Sequence, residues 1–184
     1  MGGLWCFWLA LDRPERVRAV VQFGCPAFIL DTSPRLHLLI KIRRMLMRRR
    51  PSPELARRIL QRVAGRAAVD AAPPELLEAV AALEAMSDHR IAALSLLELA
   101  LRLRRQVPKL RLGEEELAAL TQPVLFVWGE HDAFGDPAWG RRACALLANA
   151  RMEEVAGGGH LPWLDDPELS AEAVTAFLGA EVGT

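Results

Sequence analysis

The sequence lacks an excess of charge of either sign. Its 184 residues contain 23 Lys and Arg residues and 23 Asp and Glu residues, so the formal net charge is zero. A balanced chain has no general attraction to nucleic acid or to an anionic membrane. The locally basic run over residues 41–50 is interpreted as a solvated helix face. We therefore predict neither a nucleic-acid partner nor a membrane partner.

Cysteine is scarce and lacks the spacing of a structural site. Cys6, Cys25 and Cys144 form an odd, scattered set without a C-x-x-C pair. An odd number of cysteines argues against a disulfide framework, and the missing pair argues against a zinc site. We expect free thiols in a reducing, cytoplasmic compartment, and no pattern in the sequence indicates a metal or a cofactor.

The opening apolar run is too short to cross a bilayer. Residues 4–11 contain no polar side chain, but a spanning helix needs ~20 apolar residues. No basic residue precedes the run, unlike in a secretory signal. Cys6 stands where an N-myristoylation pattern has Ser or Thr. A helix without a polar face is normally buried on most sides, and Asp12-Arg13-Pro14 is expected to end it.

Three short segments have the character of β-strands. They are residues 17–23, which are rich in β-branched side chains, residues 124–128, which are continuously apolar, and residues 151–155. A continuous apolar run is typical of a strand buried on both faces of a sheet. Helices are expected near 137–149 and from Pro167 to about 178, with Asp166 as the N-cap of the second. Alternating strands and helices predict an α/β fold with three parallel strands.

The middle of the chain has a helical pattern without a strand signal. Leu and Ala recur at helical spacing among Arg and Glu, and prolines separate the segments. We expect helices at about 35–49, 53–64, 74–86, 88–105 and 114–120. The predicted organisation is a core of residues 1–34 and 121–184, with residues 35–120 inserted as a helical unit.

Two predicted loops follow strand ends, which is where ligands bind in open parallel sheets. Residues 129–132 follow one strand and residues 157–160 follow the next. An Asp and a His in such loops can form an acid–base pair, in which the Asp orients the imidazole and the His moves the proton. Glycines before the His allow a sharp turn into a cleft. We predict Asp132 and His160 as catalytic residues.

Other residues remain alternatives for these two roles. A single His in a glycine-rich loop is commonly just exposed, and a single Asp after a strand is commonly a turn residue. His131 is the alternative base. Asp136 is the alternative acid, but it is equally suited to cap a helix that begins at Pro137. His37 and His89 lie in the helical block without partner spacing, so we interpret them as surface or packing residues.

Three segments resemble the α/β-hydrolase fold superfamily. "PVLFVWGEHDAF" and "VAGGGHLPWLDDPE" are similar to its acid and histidine loops. Residues 1–27, "MGGLWCFWLALDRPERVRAVVQFGCPA", are similar to the segment after its nucleophile elbow. The resemblance covers nearly the whole chain. It implies a partial α/β-hydrolase fold with residues 35–120 as the cap, Asp132 as triad acid and His160 as triad base.

The family's elbow, Gly-x-Ser-x-Gly, matches this chain only at its last two positions, Met1 and Gly2. The nucleophile would directly precede Met1, whose backbone nitrogen would match one oxyanion donor. Neither Cys6 nor Cys25 is expected to replace the serine nucleophile, since a reactive thiol needs a base within hydrogen-bond reach. The resemblance thus implies that the complete protein is a serine hydrolase of a small ester or related carbonyl compound. It also implies that this chain is an inactive, N-terminally truncated fragment.

A different class of function remains open. The strand at residues 17–23 would have an open apolar edge if no further strand covered it. An extended strand of another protein pairs with such an edge in many complexes. The alternative is therefore a short non-catalytic protein that binds a partner through this edge or through the cap. No oligomeric state is predicted.

Overall fold

The computed structural model describes residues 2–25, 53–61, 63–86, 92, 95 and 112–181. Residues 92 and 95 are helical, as predicted. Met1, the whole helix expected at 35–49 and the remainder of the helix expected at 88–105 lie outside the described residues, so those predictions stay untested.

Three parallel strands form one sheet. They are β1 (Val20–Phe23), β2 (Val124–Gly129) and β3 (Ala150–Val155), with β2 in the middle. Val124 lies opposite Val20 on one side and opposite Ala150 on the other. The predicted α/β class with three parallel strands is confirmed.

The helices of the described residues are α1 (Gly2–Asp12), α2 (Pro53–Leu60), α3 (Arg66–Ala71), α4 (Pro74–Ala85), α5 (Glu114–Ala118), α6 (Pro137–Leu146), α7 (Pro162–Asp165) and α8 (Pro167–Glu181). A short 3₁₀ turn spans Pro14–Arg16. Asp166 caps α8 as predicted, since its Oδ1 accepts a hydrogen bond from the backbone nitrogen of Leu169 at 2.9 Å.

Helices cover both faces of the sheet, so β2 is buried on both sides. Side chains alternate between the two faces along a strand. Val124, Phe126 and Trp128 pack with residues of α1 and α6, whereas Leu125 and Val127 pack with Phe177 of α8. The continuous apolar run of β2 is therefore explained by two separate hydrophobic clusters.

Two expected boundaries in the first half of the chain differ from the structure. The strand predicted over residues 17–23 begins only at Val20, whose backbone nitrogen donates to the carbonyl of Pro123. The helix predicted over residues 53–64 ends at Leu60, and a turn follows in which the nitrogen of Ala64 donates to the carbonyl of Leu60. A second short helix, α3, begins after that turn.

In the second half of the chain, the helix predicted over residues 114–120 ends at Ala118, and two further features depart from the prediction. The helix expected over residues 137–149 ends at Leu146, since the carbonyl of Asn149 already accepts a hydrogen bond from Val124 at the start of the sheet. The short helix α7 after His160 was not predicted. Its four residues are too few for a periodic pattern to emerge.

The first helix is buried on one side only, which corrects the expectation that most of its surface is covered. Leu4, Phe7 and Ala10 are buried, whereas 55% of Trp5 and 49% of Leu9 are exposed. The exposed side borders a groove of about 490 Å³. Of the helices in the described part of the chain, none combines the length and the apolar character that crossing a bilayer requires.

Candidate active site

The carboxyl ends of the three strands lie at one edge of the sheet, because all three run parallel. The loops after β2 and β3 are joined there by hydrogen bonds from backbone nitrogens. The nitrogen of His131 donates to the carbonyl of Gly158 at 2.7 Å. The nitrogen of Gly157 donates to Oε2 of Glu130 at 2.8 Å. These bonds hold the two loops against each other.

The structure brings Asp132 and His160 into direct contact. Nδ1 of His160 lies 2.9 Å from Oδ2 and 3.1 Å from Oδ1 of Asp132. The Asp132 side chain is fully buried, whereas 27% of the His160 side chain is exposed. An imidazole that donates from Nδ1 to a carboxylate keeps its Nε2 lone pair available. The ring can therefore take up a proton at Nε2 while the carboxylate stabilises the charged form.

Two backbone groups fix the orientation of the Asp132 carboxylate. The nitrogen of Cys25, just beyond β1, donates to Oδ2 at 2.7 Å. The nitrogen of Phe134 donates to Oδ1 at 2.8 Å. A buried carboxylate needs such donors because it has lost its water. The acid is thus held by the ends of two adjacent strands.

The His160 ring lies between Gly24 and Phe134. Gly24 has φ +63°, and a Cβ at this position would lie 2.6 Å from the carbonyl oxygen and 2.8 Å from Nδ1 of His160. The ring centroids of Phe134 and His160 are 4.4 Å apart, at an interplanar angle of 60°. Sequence reasoning did not identify Gly24 or Phe134 as site residues. The only available signal for Gly24 was a glycine directly after a strand.

The alternative residues occupy other environments. His131 is exposed. Asp136 caps α6, since its Oδ1 accepts a hydrogen bond from the nitrogen of Ala138 at 2.7 Å. Cys6 is an exposed thiol of α1, and Cys25 is buried. Met1, the predicted oxyanion residue, lies outside the described residues. Among those residues, no group of three or more His, Cys, Asp or Glu side chains is placed to hold a metal ion.

The comparison with protein families gives a match over most of the chain. Residues 1–173 match the sequence model of a family described as "Alpha/beta hydrolase family". The match includes all three strands, the loop that carries Asp132 and the loop that carries His160.

Curated relatives match over shorter stretches. Polyketide synthase ThaQ of Burkholderia thailandensis is 43% identical over 63 residues, which cover 34% of this chain and 3% of ThaQ. The uncharacterized carboxylesterase nap of Bacillus subtilis is 31% identical over 71 residues, which cover 38% of this chain and 24% of nap. The matched stretches are thus small parts of both relatives.

Solved structures share the fold along nearly the whole chain. A variant of the meta-cleavage product hydrolase CumD from Pseudomonas fluorescens IP01 gives a TM-score of 0.74 at 20% identity. The similarity covers 97% of this chain and 61% of the CumD chain. The chain therefore spans about three fifths of the length of that structure.

Proposed function

This chain belongs to the alpha/beta hydrolase family, and we propose that it carries the acid and the base of a hydrolase of serine type. The observation that carries the proposal is the contact of Asp132 with Nδ1 of His160 at the carboxyl edge of the sheet. Within the described residues, only the Nδ1 side of the ring is hydrogen-bonded. Nε2 is the atom that would meet the nucleophile.

In the proposed reaction, a serine attacks the carbonyl carbon of an ester while Nε2 of His160 takes the hydroxyl proton. His160 then gives this proton to the leaving alcohol, and water repeats the cycle on the acyl intermediate. Asp132 keeps the ring in one tautomer and stabilises the imidazolium. Met1 and Gly2 match the last two positions of the elbow, and within the described residues no serine hydroxyl hydrogen-bonds to Nε2 of His160.

The proposed substrate is a small carboxylic ester or a related carbonyl compound. The naming of a relative as a carboxylesterase supports an ester. We also propose that residues 35–120 form a cap over the site. A hydrogen bond from the nitrogen of His160 to the carbonyl of Val63, at 2.5 Å, supports this placement. None of the three cysteines in the described residues forms a disulfide, which is compatible with the proposed cytoplasmic location.

The test is hydrolysis of short-chain p-nitrophenyl esters by the native gene product, whose intact mass is measured first. We expect turnover that falls on the order of 10⁴-fold or more in His160→Gln and Asp132→Asn, as for the loss of triad members elsewhere. His131→Gln is the matched control, because this neighbouring histidine is exposed, and it should keep full activity.

The competing function is binding of a partner through the sheet edge or the cap without catalysis. The position of β1 at one edge of the described sheet favours it. A native product with the mass of the 184-residue chain and no ester hydrolysis would support binding and contradict the hydrolase. Equal activity of His160→Gln and the unaltered protein would also contradict the hydrolase.

A further inference from the structure

The side chain of Asp165, at the end of α7, joins two distant backbone segments. Its Oδ1 accepts a hydrogen bond from the nitrogen of Gly65 at 2.6 Å. Its Oδ2 accepts one from the nitrogen of Gly159 at 2.6 Å. Gly65 is 100 positions earlier in the chain, whereas Gly159 directly precedes His160. One carboxylate thus connects the turn between α2 and α3 with the loop that carries the proposed base.

A third hydrogen bond strengthens the same junction. The backbone nitrogen of His160 donates to the carbonyl of Val63 at 2.5 Å. The two segments approach so closely that a Cβ on Gly159 would lie 2.4 Å from the carbonyl oxygen of Val63. Leu161 and Leu164 also pack against the buried cluster of Ala64, Val69 and Leu77. The helical insertion therefore supports the histidine loop directly.

From this geometry we propose that Asp165 is a positioning residue for His160. It clamps the loop to residues 63–65, so that the insertion sets where the imidazole lies against Asp132. The inference rests on the proposed function, in which His160 is the base. Hydrogen bonds to a carboxylate are about twice as strong as neutral ones. A misplacement of ~1 Å in a catalytic group can cost on the order of 10²-fold in rate.

The neighbouring Asp166 provides a matched control. It carries the same charge and caps α8 through a hydrogen bond from the nitrogen of Leu169 at 2.9 Å. Loss of an N-cap costs ~0.5–2 kcal/mol, so Asp166→Ala is expected to reduce stability without loosening the histidine loop. Asp165→Ala removes both acceptors of the clamp. Asp165→Asn keeps one acceptor and removes the charge.

The experiment is NMR of the chain with its histidines labelled with nitrogen-15, which reports the tautomer of each imidazole ring. Urea unfolding curves give the stability of each variant. The chain has four histidines, and His160→Gln identifies the signals of His160. In the unaltered protein and in Asp166→Ala, we expect the ring shifts of one tautomer, protonated at Nδ1. In Asp165→Ala we expect shifts averaged between tautomers, and in Asp165→Asn a smaller change in the same direction.

A purely structural role predicts a different result. If Asp165→Ala and Asp166→Ala lose similar stability and both keep the single tautomer, the clamp inference is wrong. If Asp165→Ala does not fold, an unchanged ring signal in Asp165→Asn overturns the inference in the same way. If the unaltered protein itself lacks the Nδ1-protonated tautomer, the pairing of His160 with Asp132 fails, and the proposed function fails with it.

Discussion

The backbone nitrogen of Cys25 donates a 2.7 Å hydrogen bond to the buried Oδ2 of Asp132, 107 positions later in the chain. The same oxygen lies 2.9 Å from Nδ1 of His160. The carboxylate therefore connects the end of β1, the loop after β2 and the loop after β3. A change at Asp132 should affect the stability of the fold as well as the proposed chemistry.

Asp132→Asn is expected to lower the free energy of unfolding by about 1–3 kcal/mol. An amide nitrogen cannot accept a hydrogen bond, so the backbone nitrogen of Cys25 or Phe134 would lose its buried acceptor. Urea unfolding measures the change. Asp136→Asn is the control, because Asn and Asp are equally good N-caps, and it should be nearly neutral. Equal losses in both variants would contradict this account of the acid.

Gly24→Ala is expected to be more destabilising than Gly157→Ala. Both glycines have positive φ, +63° and +66°, so each Ala variant loses about 1–2 kcal/mol from backbone strain. Only at Gly24 would the new Cβ collide with His160, since nothing lies within 4 Å of a Cβ at Gly157. Because both variants share the backbone strain, the difference between their urea unfolding midpoints measures the destabilisation that comes from the contact with His160. The same stability in both variants would show that the backbone at Gly24 relaxes freely.

Phe7→Ala and Trp5→Ala test which side of α1 is buried. Phe7 is fully buried and its ring centroid lies 6.0 Å from that of Phe126, so its truncation should cost about 3–5 kcal/mol. Trp5 is 55% exposed, and its truncation should cost far less. Thermal unfolding of both variants provides the comparison. A larger loss for Trp5→Ala would mean that its exposed face is covered in solution.

The 184-residue polypeptide, expressed alone, should show no ester hydrolysis above that of its His160→Ala variant. Within the described residues, no hydroxyl or thiol group hydrogen-bonds to Nε2 of His160, so the base would have no nucleophile within reach there. A p-nitrophenyl ester assay at equal protein concentration makes the comparison. Clear turnover that His160→Ala abolishes would show that another group of the chain acts as nucleophile.

The stability of the chain should fall at alkaline pH through Cys144. Burial raises the pKa of the Cys144 thiol in the folded protein. The unfolded thiol therefore loses its proton first, above pH ~8.5, and the unfolded state then binds fewer protons than the folded state. The free energy of unfolding declines with rising pH in that window. Urea unfolding of Cys144→Ala should show a weaker decline, whereas Cys6→Ala, at an exposed thiol, should leave the decline intact.

The sequence predicted best those features whose signals are local. The apolar run of β2 and the glycines before His160 indicated a buried strand and a loop. Parallel pairing then placed Asp132 and His160 at one edge. The catalytic role assigned to this pair stays a prediction.

Features that depend on distant contacts were not predictable in this way. Asp165 and Gly65 are 100 positions apart, and no spacing rule relates them. The exposure of Trp5 depends on which elements pack around α1. The sequence of α1 alone shows that the helix is apolar, but it does not show which side is covered. The break between α2 and α3 lies at residues 63–65, which hydrogen-bond to the histidine loop and to Asp165.

The two strand pairs of the sheet differ widely in the sequence separation of their partners. The pairing of Val124 with Ala150 closes a short loop, whereas the pairing of Val20 with Val124 closes one of about a hundred residues. Longer loops cost more entropy to close, and distant pairings slow folding. We therefore expect the β–α–β unit formed by β2, α6 and β3 to assemble first, and β1 with α1 to dock later. The Asp132 carboxylate would receive its Cys25 donor only in that last step.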